Sequence, residues 1–143
     1  MALPTLPRAL YAYLSLHAPL QALVATRVYP SIAPSGAALP YVTVQRLAVG
    51  SIYHMGGASA THDTLVQVDC WALQPMQVQH LAQVVRQSLD GFTGTWDGLA
   101  IDGVFVENEI DDAEPADDGS QRIFYRTILT LACWHEREAP TFT

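Results

Sequence analysis

What this sequence lacks narrows its chemistry before any element is placed. No apolar run approaches the ~20 residues that a membrane-spanning helix needs, and no basic stretch precedes an apolar one at the N-terminus. The expectation is a soluble chain without a secretion signal. Lysine and arginine together number 7 against 14 acidic residues, and they are scattered. Without a basic stripe to neutralise phosphates, the monomer is not expected to bind nucleic acid tightly. Neither HExxH nor CxxC occurs, and the histidines, His17, His54, His62, His80 and His135, are dispersed. That pattern gives metal catalysis no support. The phosphate-cradling patterns GxGxxG and GxxxxGK(S/T) are absent, and Gly50-Ser51 lacks a nucleophile elbow around it. Together these absences argue against an enzyme.

Cysteine is scarce too. Cys70 and Cys133 each precede a tryptophan in an apolar stretch, so both read as small core residues. A disulfide between them is open if their strands are neighbours, and a cytoplasmic setting disfavours it.

What is present is organised around Thr64 to Leu73. Alternation sets Val66, Val68 and Cys70 on one face and Gln67, Asp69 and Trp71 on the other, which predicts a strand with one face in the core. A helix follows from Pro75, with apolar residues at 78, 81, 82, 85 and 89 and Asp90-Gly91 for its exit. Upstream, Leu6, Ala9, Leu10, Tyr13 and Leu14 predict an amphipathic first helix, Pro19 breaks it, and Leu20, Leu23 and Val24 predict a second short one. Residues 30–40 hold three prolines and read as a loop. Strands are expected over 41–47, 99–106 and 122–134, with a turn region and a very short strand over 91–98. On the last strand Ile123, Tyr125, Leu129, Leu131 and Cys133 are expected on the core face, and Phe124, Ile128 and Trp134 opposite.

The expected fold is α+β, a mostly antiparallel sheet of about four strands with helices packed on one face. At 143 residues the chain fits a single domain over 1–143. Within it the reading places a flexible arm over 49–62, an acidic loop over 107–120 and a frayed tail over 136–143.

The net charge of −7 is local, because half of the acidic residues lie between Glu107 and Asp118. Glu109, Asp111, Asp112 and Glu114 are weak candidates for a divalent cation, since hard oxygen ligands suit Mg²⁺ or Ca²⁺. The calcium-hand spacing is missing, and a solvated acidic loop is the plainer account. No other cofactor is expected.

Four phrases stand in order: Arg27-Val28-Tyr29-Pro30, Ala33-Pro34-Ser35-Gly36-Ala37-Ala38-Leu39-Pro40-Tyr41-Val42, Val66-Gln67-Val68-Asp69-Cys70-Trp71-Ala72 and Val84-Val85-Arg86-Gln87-Ser88-Leu89-Asp90-Gly91. With Glu109-Ile110-Asp111-Asp112-Ala113-Glu114-Pro115 and Arg122-Ile123-Phe124-Tyr125-Arg126, they resemble the tail completion family of long-tailed phages and prophages, which includes tail terminator and tail-to-head joining proteins. The resemblance spans residues 1–135 and departs from the family's pattern over Tyr53 to Thr61 and Ala116 to Ser120.

The resemblance implies a non-enzymatic virion component at the head-proximal end of the tail, made in the bacterial host cytoplasm. Such proteins cap the finished tail tube, end its polymerisation and join it to the head connector. The implied partners are the tail tube protein, the connector protein and further copies of the chain in a ring, commonly hexameric; no membrane or sequence-specific nucleic acid is implied. A ring needs a heterologous interface, and Ile52, Tyr53, Met55, Trp71, Phe124 and Trp134 are the candidates for it. Glu107, Glu109, Asp111, Asp112, Glu114, Asp117 and Asp118 are candidates to line a lumen, where like charge would keep DNA from sticking. The competing reading is a small monomeric α+β domain that binds a ligand or carries out an unknown reaction.

Overall fold

The stretch from Thr64 to Ala72 folds as its alternation dictates, and Val66, Val68, Cys70 and Ala72 are all fully buried. In this computed structural model, residues 3–54, 57–116 and 119–136 are described, with the backbone alone over 51–54 and 57–62. The element order is α1 (Leu6–Leu16), α2 (Ala18–Val24), β1 (Val28–Pro30), β2 (Tyr41–His54), β3 (Gly57–Ala72), α3 (Pro75–Leu89), β4 (Gly94–Trp96), β5 (Leu99–Pro115) and β6 (Ile123–Glu136). Each helix carries a proline in its first turn, where a missing N–H costs nothing.

All six strands form one sheet in the order β1-β2-β3-β6-β5-β4. Only β1 and β2 run parallel; the other neighbours are antiparallel. Leu10 and Leu14 of α1 and Leu81, Val85 and Leu89 of α3 pack with Val44, Val68, Leu129 and Leu131 of the strands in one core cluster. Burying each such side chain contributes roughly 1.5–3 kcal/mol. At the far end of α1, Tyr13 stacks on Trp96 at 5.2 Å and donates its hydroxyl to the Ser88 carbonyl at 2.7 Å, tying α1 to β4 and α3.

This architecture overturns the expected four-stranded, mostly antiparallel α+β sheet: among the described residues the protein is mostly β, a mixed six-stranded sheet curled into a half-barrel with three helices. The reasons are local. Val28-Tyr29-Pro30 is too short to show a period, yet pairing with Val42 to Val44 makes it an edge strand. The connection expected as an arm over 49–62 is instead strand up to His54 and again from Gly57, because β2 and β3 carry their ladder beyond the core. Glycine there is a packing requirement: a Cβ on Gly50 would collide with the Asp63 carboxylate across the ladder.

The expected acidic loop is likewise strand as far as Pro115. Glu109 to Pro115 pair residue by residue with Leu129 to Ile123, and the ladder overrides the weak strand preference of acidic residues. On β6, Ile123 is exposed rather than in the core, at the first position of the strand. The tail, expected to fray from residue 136, still has Glu136 in β6, where its carboxylate accepts from Ala100 N at 2.8 Å. Residues 137–143 lie outside the described residues.

Register also decides the cysteines. Cys70 stands opposite Thr127 and Cys133 opposite Thr64, about 20 Å apart along the strands, so neighbouring strands do not bring the thiols together. Both are free and buried, and burial pushes the Cys133 thiol up to about 12, far from the reactive range.

Candidate functional site

Helices cover one face of the sheet, and the other face presents three cross-strand rows. They read Tyr41-Trp71-Arg126-Asp112, Thr43-Asp69-Ile128-Ile110 and Gln45-Gln67-Thr130-Asn108 across β2, β3, β6 and β5. Their members on β2 and β3, with Arg126, the loop from Ser31 to Leu39 on one side and Glu114, Arg122 and Phe124 on the other, line an open trough of about 1040 Å³.

Its centre is Arg126. The guanidinium lies over the Trp71 ring at 4.9 Å, and its two terminal nitrogens face Asp69 at 4.0 Å and Asp112 at 3.7 Å. Its Nε is buried without a hydrogen-bond partner. Trp71 stacks on Tyr41 at 5.9 Å, Tyr41 meets Tyr29 edge-on at 5.7 Å, and the indole N–H donates to Thr43 Oγ1 at 3.4 Å. Asp69 is 7% exposed and accepts from Gln67 Nε2 through both carboxylate oxygens at 3.0 Å. Burial pushes its carboxyl above the ordinary value; the Gln67 hydrogen bond and the Arg126 charge oppose that push, and Glu114 adds to it. Burial also raises the Tyr41 phenol, with further contributions from Glu114 and Tyr29.

Chemically, this is a platform of aromatic rings around one guanidinium, bordered by carboxylates. Tryptophan, tyrosine and arginine are the residues that carry binding energy at protein interfaces, because they offer large flat area and hydrogen bonds at low entropic cost. The arrangement suits a protein surface.

Of the residues expected at an interface, Trp71 and Phe124 both line this trough, and Arg122 lies over the Phe124 ring at 5.5 Å. Trp134 stands at the other end of β6, opposite Asp63 and Gly103, about 33 Å along the strand from Phe124. Ile52 and Tyr53 are in β2, but their side chains, and all of Met55, lie outside the described residues.

The acidic candidates are divided by strand alternation. Glu109 and Asp111 share the helix side of β5, where Glu109 pairs with Arg86 at 3.6 Å and Asp111 accepts from Thr127 Oγ1 at 2.7 Å. Asp112 and Glu114 are on the trough side, and Glu107 occupies the irregularity between Val106 and Asn108. Asp117 and Asp118 lie outside the described residues. Among the described residues no three His, Cys, Asp or Glu side chains are placed to hold a metal ion.

Sequence reasoning did not single out Arg126 or Tyr41. The available signal was parity: Arg126 falls on the same side of its strand as Phe124, and Tyr41 on the side of β2 away from Val42 and Val44. It also missed a buried pair, Thr64 Oγ1 and His135 Nε2 at 2.7 Å, on the helix side. Thr64 is 2% exposed and His135 7%, so the pair is buried within the fold.

Among solved structures, one chain from the virion of a native gene transfer agent particle is similar over 92% of this chain and 94% of its own, at 24% identity and a TM-score of 0.68. That likeness establishes the fold. A second solved chain, at 13% identity and a TM-score of 0.48, is too distant to add to it. No curated protein sequence matches the chain. The family model described as tail completion protein gp17 matches residues 8–136, from the first turn of α1 to the end of β6. The chain therefore belongs to the tail completion protein gp17 family, structural components of phage tails.

Proposed function

We propose that this protein caps the completed tail tube, ends its polymerisation and forms the surface that joins the tail to the head connector, acting as a ring at the head-proximal end. The observation that carries the reading is the family match from Arg8 to Glu136, which takes in every strand of the sheet and so the whole trough-bearing face. The trough supports a docking role: it is open, aromatic and already ordered by internal ion pairs, so a protein partner meets a surface that loses little entropy on binding. We assign the Trp71, Arg126 and Phe124 platform to contact with the tube or connector.

The test is to add the purified protein to polymerising tail tube protein and measure tube lengths by electron microscopy. Arrested tubes carrying a cap at one end, able to accept connectors, are expected. Tubes that keep growing and never carry the protein at their ends overturn the reading. A monomer that binds no tube but shows a ligand-specific melting shift would favour a small ligand-binding domain instead.

A further inference from the structure

Two edges of this sheet are open, and they complement each other. On β2 the outer edge is covered by β1 only as far as Val44, whose carbonyl accepts from Ser31 N at 2.7 Å. From Arg46 to His54 no strand lies against it among the described residues. On β5, β4 covers Leu99 to Ile101, and the turn after α3 reaches Val104 through Gly91 N at 2.8 Å and Val106 through the Asp90 carboxylate at 3.1 Å. From Glu107 to Pro115 that edge is open among the described residues, and the amides of Glu109 and Ala113 donate to side chains of their own strand, Asn108 and Asp112. Each open run is about 30 Å long.

Resting on the ring reading, we propose that the β5 edge of one copy pairs with the β2 edge of the next, joining the six-stranded sheets into one continuous antiparallel sheet. Direction permits it: three antiparallel pairings separate β2 from β5, so β2 and β5 run oppositely. Copies in the same orientation then meet with antiparallel strands and with their helices on the same side, the relation a heterologous ring interface requires. Position permits it as well. β1 and β4 occupy the opposite ends of their edges from the open runs, so neither obstructs the pairing. The offset between the two runs staggers successive copies along the strands, as closing a sheet around an axis demands.

Charge excludes the alternative. Laid antiparallel over their open lengths, the two runs bring Arg46 beside Pro115 and leave Glu109 about 20 Å farther along, so the match of β5 to β2 rests on backbone pairing. Two β5 edges, by contrast, would set the carboxylates from Glu107 to Glu114 against one another and repel. Exposed Val49 and Leu47 on one edge and Ile110 on the other gain cover at the same time. Unpaired strand edges invite association, and here the acidic run restricts which edge is accepted.

The test is native mass spectrometry over a concentration series, alone and with tail tubes. Ala113→Pro and, separately, Glu109→Pro each remove an amide that bonds only within its own strand, to Asp112 and Asn108, and so block the β5 edge while sparing the ladder to β6. Both positions are exposed, and unchanged circular dichroism and melting serve as the folding control. Each variant is expected to need more than ~10-fold higher concentration to assemble. Rings that persist in both variants overturn the edge pairing and leave the ring standing. A wild-type chain that stays monomeric even on tail tubes overturns the ring reading, and the pairing with it.

Discussion

The two faces of this sheet are built from alternate residues of the same strands and have opposite fates. On the helix side, Val44, Val68 and Leu129 form a cross-strand row that is closed to solvent. One residue along, Thr43, Asp69 and Ile128 form a row that no helix covers, and beyond it Tyr41, Trp71 and Arg126 form another. Because side chains alternate strictly, the register that buries the first row fixes the position of the others. The proposed docking surface, positioned in this way, is as rigid as the core behind it. Its rows are held by the ladder itself, so the surface is ordered before any contact is made.

Substitutions that strike one face and spare the other break this comparison. The largest effect is expected from Leu129→Ala, which empties a site with no solvent exposure and costs about 3 kcal/mol in chemical denaturation, with loss of the outer platform as a consequence of unfolding. Arg126→Ala should cost less, about 1–3 kcal/mol, by leaving the Asp69 carboxylate without its cation and Trp71 without its cover. Trp71→Ala should cost about 1–2 kcal/mol, from lost stacking on Tyr41 and lost contact with Arg126. Its effect on tail joining should nevertheless exceed that of any stability-matched substitution on the helix face. A Trp71→Ala protein that caps tubes normally would detach the platform from function.

How much of this could be read beforehand follows the same division. Period-2 alternation in Val66, Val68 and Cys70, and the helical spacing of Val78, Leu81, Ala82, Val85 and Leu89, are strong one-sided signals, and those residues are in the core. The ladder extensions were not legible. Glycine near Gly50 and carboxylates from Glu107 to Glu114 look like loop, because strand formation there depends on partners distant in sequence. Edge strands such as Val28–Pro30 are too short to carry a period. Parity alone sets Trp71 on the outer face, and the phrases that carry the family resemblance lie in β1, the loop into β2, β3, α3, β5 and the start of β6. What turned separate residues into a site was register across four strands, which no single segment encodes.

The smallest and sharpest effect concerns Asp69, the one buried carboxylate in those outer rows. Burial raises its folded pKa above the ordinary 3.8, against the opposing pull of Gln67 and Arg126. A raised folded pKa means that the folded state binds the proton more tightly than the unfolded chain does. The resulting stabilisation is fully present below the ordinary value and is lost as pH rises through the raised one. At neutral pH the ionised carboxylate therefore carries a penalty that Asn avoids. Asp69→Asn should melt at or above the wild type at pH 7, and the difference should shrink to nothing as the pH falls below about 3.8. Melting curves for both proteins across that range isolate the site, because every other titration cancels in the difference. The opposite slope, with the variant losing ground toward neutral pH, would mean that attraction to Arg126 outweighs burial. The outer face would then be held together chiefly by its ion pairs rather than by the packing that positions them.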